Sequence, residues 1–103
     1  MSDLFVSAHR FRVKQADIDE IIKGLIAALD RMHPADGASR VLILRGAGNS
    51  EVAVIGEWTS EAAAREGWPA LYQSDDFQQI LSQATLSESA LYTVAAVREV
   101  PLG

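Results

Sequence analysis

Leu4-Phe5-Val6-Ser7-Ala8-His9-Arg10-Phe11-Arg12-Val13-Lys14 alternates along its whole length. Phe5, Ser7, His9, Phe11 and Val13 share one side; Leu4, Val6, Ala8, Arg10 and Arg12 share the other. Successive side chains of an extended backbone point to opposite faces, so a period of two specifies a strand. Asp17 then opens a helix, with Glu20 three residues on as an acidic variant of the capping box. Ile18, Ile21, Ile22, Leu25, Ile26, Leu29 and Met32 recur at three- and four-residue spacing and give that helix one apolar stripe. Pro34-Ala35-Asp36-Gly37 ends it, because the residue before proline resists helical torsions.

Further along, Arg40–Arg45 and Glu51–Trp58 read as strands joined through the hairpin connection Gly46-Ala47-Gly48-Asn49-Ser50. Thr59 or Ser60 caps a helix that Gly67 and Pro69 weaken, with Trp68 pushed towards extended torsions. Ser74 or Asp75 caps a further helical piece, where Phe77, Ile80, Leu81 and Ala84 fall on one side. Ala90–Val100 reads as the last strand. The order βαββαβ, with the second helix interrupted, predicts an α+β ferredoxin-like fold. Its four-stranded antiparallel sheet carries the helices on one face.

The sheet's other face cannot be polar, because nearly every strand is apolar on both sides. An exposed apolar face of that size marks an interface. The expected partner is a second copy of the chain, joined face to face as a dimeric α/β barrel.

Composition narrows the function classes. The chain has 103 residues, expected to form one domain over residues 1–103, with a net charge of -5 and no Cys. The acidic balance argues against nucleic-acid binding, which needs cations to displace counterions. Without Cys there are no disulfides and no thiolate sites. His9 and His33 have no carboxylate at ligand spacing, so no metal is expected. Gly46-Ala47-Gly48 leads into a strand and lacks the helix N-terminus of a dinucleotide site. There is no nucleophile elbow and no phosphate loop. No apolar run is long enough to span a bilayer and no secretory signal is read, so the expected location is cytoplasmic, without a membrane partner.

The strand, amphipathic helix and hairpin, followed by Glu57-Trp58-Thr59-Ser60-Glu61-Ala62 and Ser74-Asp75-Asp76-Phe77-Gln78, resemble the dimeric α/β-barrel superfamily. The nearest branch is the antibiotic-biosynthesis-monooxygenase-like (ABM-like) family. The resemblance spans nearly the whole chain and implies a cavity between the helices and the covered sheet face. It also implies oxygenation with no cofactor, metal or flavin, the substrate itself being activated towards oxygen. In the heme-degrading branch, His9 stands at the position of the first-strand Asn and Trp68 at that of the Trp. The ligating His would fall near Leu81, which cannot bind iron, so heme degradation is not expected.

His9 shares the helix-facing side with Ser7 and Phe11. A neutral imidazole there can serve as a general base towards a phenol or an enolisable carbon. Trp68 and Tyr72, in the irregular part of the second helix, can stack on a flat ligand and offer a phenol hydrogen bond. The expected site is therefore His9 as base, with Ser7, Phe11, Trp68 and Tyr72 around a small aromatic or polycyclic substrate. The competing expectation is a non-catalytic ligand-binding or stress-response barrel in which the dimer is the working unit. Arg10, Arg12 and Lys14 are read as a basic stripe that pairs with Glu57, Glu99 or a partner chain.

Overall fold

In the computed structural model the alternating segment is strand β1, Phe5–Val13, and it lies inside the sheet. The structure describes residues 4–31, 38–96, 98, 100 and 101, without the side chains of Arg31, Trp68, Ala70 and Leu71. The predicted turn Pro34–Gly37, together with Met32, His33, Val97 and Glu99, lies outside the described residues. A 3₁₀ turn over Gln15–Asp17 leads into α1, Ile18–Arg31. Strand β2 spans Ala38–Arg45 and β3 spans Glu51–Trp58. Helices α2, Glu61–Tyr72, and α3, Asp75–Leu81, precede β4, Ala84–Thr93.

The sheet order is β2-β3-β1-β4 and every pairing is antiparallel. This is the expected ferredoxin-like α+β arrangement. Asn49 takes a left-handed torsion, φ 56°, in the β2–β3 hairpin, where its amide donates to the Gly46 carbonyl. Asn tolerates that region better than most residues with a Cβ.

The helix-facing residues of the sheet form the core. Phe11, Val13, Val52 and Val54 pack with Ile18, Ile21, Leu25 and Ala28 of α1 and with Phe77 and Leu81 of α3. A smaller cluster, Trp58 and Ala64 with Phe5, Ala38 and Ala63, holds α2 against the sheet. The stripe along α1 follows the predicted spacing because those positions meet the sheet, whereas Ile26 is exposed.

Strand β2 starts two residues before the expected Arg40, and helix α2 and strand β4 depart further from the sequence expectation. Helix α2 runs through Gly67 and Pro69, and the interruption falls at Gln73 and Ser74. At Gly67 a Cβ would stand 2.1 Å from Trp58 Cζ3, so glycine is what lets the helix lie on the indole. Packing on Trp58 outweighs the weak helix propensity of the segment. Ser74 Oγ accepts the Phe77 amide and restarts the helix as α3.

Strand β4 begins at Ala84 rather than Ala90 and ends at Thr93 rather than Val100. Ala84, which the helical spacing of Phe77, Ile80 and Leu81 draws into α3, pairs instead with Val13. The pairing energy of the β1 edge decides this, since most of β4 is exposed and carries little hydrophobic signal.

On the open sheet face, Arg10 bonds both Glu51 and Glu88, and Arg40 bonds Glu57. Arg10 thus pairs with carboxylates on the strands either side of it; of the carboxylates expected for the basic stripe, Glu57 is held by Arg40 and Glu99 lies outside the described residues.

Candidate functional site

Strand β1 carries two polar residues where its inward stripe should be apolar. Phe5 belongs to the smaller cluster and Phe11 and Val13 to the larger, while Ser7 and His9 lie between them. Both are buried, at 4% and 5% exposure. Buried polar groups need partners, and the neighbouring strands supply them. Trp58 Nε1 donates to Ser7 Oγ over 2.9 Å. Gly56, opposite Ser7, leaves room for that bond, since a Cβ there would stand 2.7 Å from Trp58 Nε1.

His9 Nδ1 stands 2.9 Å from Ser89 Oγ, its directly opposed residue on β4. The register of β4 slips between Arg10 and Phe11, beside this pair. Bulges of this kind re-aim side chains at the edges of sheets. Burial removes water from the imidazole and lowers its pKa from 6.5 to about 4. The ring is therefore neutral at physiological pH, and one nitrogen can accept a proton while the other donates.

A recess of about 290 Å³ opens between α2 and the β1–β4 edge. Ser7, His9 and Ser89 form its polar wall; Ala64, Pro69, Ala90 and Leu91 form its apolar wall; Arg65 completes the lining. That volume lies near the lower end of the roughly 300–1,000 Å³ typical of small-molecule sites. It suits one or two fused rings, or part of a larger ring system that projects from the opening.

The structure brings Ser7 and His9 together on this recess. It places Phe11 elsewhere: the ring is 1% exposed and fills the core beneath α1 and α3, as an apolar side chain at the centre of the sheet must. Tyr72 is part-buried against that same core, because the continuous α2 turns it away from the recess. The Trp68 side chain lies outside the described residues. Sequence reasoning missed Ala64, Arg65, Pro69, Ser89, Ala90 and Leu91 as lining residues. Extending the alternation of Leu91 and Thr93 back two positions would have put Ser89 on the helix-facing side.

The sequence matches no protein-family model and no curated protein. The fold has many solved counterparts. A candidate antibiotic biosynthesis monooxygenase from Chloroflexus aurantiacus superposes with TM-score 0.65 at 10% identity, over 95% of this chain and 99% of that one. Another, from Nitrosomonas europaea, gives 0.66 at 12% identity, over 92% and 93%. SnoaB, a cofactor-independent oxygenase from Streptomyces nogalater, gives 0.60 at 19% identity, over 94% and 97%. The chain has the ABM-like fold. At these identities the likeness concerns the fold alone, and the site has to be argued from its own residues. Within this fold the recess occupies the helix side of the sheet, and no helix among the described residues is long and apolar enough to cross a membrane.

Proposed function

We propose that the protein is an ABM-like, cofactor-independent monooxygenase acting on a small aromatic or polycyclic substrate. The observation that carries this reading is the recess that reaches His9 from the helix side. A core packed solid around His9 would have left no place for a reactant.

In this proposal His9 takes a proton from an acidic methylene or phenol of the substrate. The resulting carbanion or phenolate reduces dioxygen directly. For a methylene oxidised to a ketone, one oxygen atom becomes the carbonyl and the other leaves as water with the two hydrogens. The lowered pKa of His9 reflects the cost of an imidazolium out of water. A substrate anion formed beside the ring offsets that cost, so the base gains strength as the proton moves. Ser89 Oγ bonds Nδ1 and holds the ring at the wall of the recess.

The same lowered pKa favours a second reading, in which the recess binds an aromatic ligand without turnover. His9 then serves as a neutral hydrogen-bonding group. Oxygen consumption across a panel of quinols and anthrones, with and without His9→Ala, separates the two. Uptake of oxygen that depends on His9 supports catalysis; ligand binding without uptake supports the second reading.

We further propose that the open sheet face joins two copies of the chain. Val6, Leu42, Leu44, Ile55 and Tyr92 lie on it, with Leu44 46% and Tyr92 52% exposed. Arg10 and Arg40 on this face are already paired within the chain, with Glu51 and Glu88 and with Glu57, so docking would not leave those charges uncompensated.

A further inference from the structure

Arg65 is the charged residue among those that line the recess. His9 contributes no charge there, because burial keeps its ring neutral at physiological pH. A cation at this mouth is notable in a chain of net charge -5, whose mean field repels anions. Arg65 is exposed, and its only described partner is Glu61, one helical turn earlier on α2. Its Nε and Nη2 both reach a single oxygen of that carboxylate, at 3.2 and 2.8 Å. Exposed pairs of this spacing are weak and easily exchanged. A ligand carboxylate offers the guanidinium fork two oxygens where Glu61 offers one, the geometry in which arginine binds most strongly.

Resting on the reading of the recess as the ligand site, we propose that the ligand is an aromatic carboxylate. Its ring lies against Ala64, Pro69 and Leu91, its hydroxyl or keto group meets His9, and its carboxylate displaces Glu61 from Arg65. Glu61 is then a built-in competitor. The two residues therefore act in opposite directions: loss of Arg65 weakens binding of the acid, and loss of the Glu61 charge strengthens it.

The test is calorimetric titration of the intact protein at low ionic strength with two probes of one ring system, 2-naphthol and 6-hydroxy-2-naphthoate. The wild type is expected to bind the naphthoate about tenfold more tightly, a difference that added salt shrinks. Arg65→Gln should bring the two affinities together, Arg65→Lys should keep part of the preference, and Glu61→Gln should widen it. Circular dichroism confirms that each variant is folded. Equal affinities in the wild type, or a preference unchanged in Arg65→Gln, overturn the anion subsite. If naphthol binding still disappears in His9→Ala, the recess remains the ligand site despite that failure. Failure of both probes to bind overturns the subsite and the reading of the recess together.

Discussion

His9 Nδ1 and Ser89 Oγ lie 2.9 Å apart across the β1–β4 pairing, although 80 positions separate the two residues. The bond fixes the imidazole at the wall of the recess. His9→Ala should reduce oxygenation by about 10²–10⁴-fold, the span of a lost general base. Ser89→Ala, which removes only the positioning hydroxyl, should lower kcat by about tenfold with KM nearly unchanged, the worth of about one hydrogen bond. Steady-state oxygen uptake checks both. A Ser89→Ala enzyme with wild-type kcat would remove the positioning role.

The depressed pKa of His9 couples stability to pH. The unfolded chain binds a proton on this residue below about 6.5, whereas the folded chain binds it only near 4. Between those values the unfolded state holds more protons, so stability rises with pH and is lost as pH falls. The contribution of His9 is at most about 3 kcal/mol over that window. Urea unfolding at a series of pH values should show a steeper acid loss for the wild type than for His9→Gln. Parallel curves would mean that burial does not hold the ring neutral.

Gly67→Ala sets two effects against each other. Alanine raises helix propensity by about 1 kcal/mol. Its Cβ would meet Trp58 Cζ3 and Cη2 at 2.1 and 2.2 Å, far inside contact distance. Overpacking costs about 1–3 kcal/mol, so the net effect is destabilising. Thermal or urea unfolding should show it, and the same substitution made in a Trp58→Phe background should cost less. Equal costs in both backgrounds would mean that the indole is not the obstacle.

Leu44→Asp combined with Tyr92→Asp places two carboxylates on the open sheet face without touching the core. Sedimentation should show the wild type at twice the 11.1 kDa chain mass and the variant as a monomer. A wild type that sediments as a monomer at micromolar concentration defeats the dimer proposal.

Much of the scaffold was legible because its signals are local. The alternation of Phe5 to Val13 and the stripe Ile18, Ile21 and Leu25 record which side faces the core, and burial follows them. Ser74 was legible as a cap because a hydroxyl before Asp75-Asp76-Phe77 can satisfy the Phe77 amide. The site was half legible. Ser7 and His9 stand out as polar residues on an apolar stripe. Arg65 reads like any surface residue of a helix, and Ser89 sits in a polar run that resembles a loop. Phe11 and Tyr72 share residue type with ligand-binding aromatics, and only their neighbours show that they fill the core.

The βαββαβ order, the apolar excess on the strands and the histidine on the helix side all follow from the residues in chain order. These are one-dimensional patterns of hydrophobicity and torsional preference. Only the packed fold settles that α2 continues through Gly67 and Pro69, that β4 starts at Ala84, and that His9 meets Ser89 in a recess that Arg65 also lines. Those outcomes depend on how the Trp58 indole fits under α2 and on a register slip beside Arg10. They are contacts between distant segments whose energies no local stretch encodes.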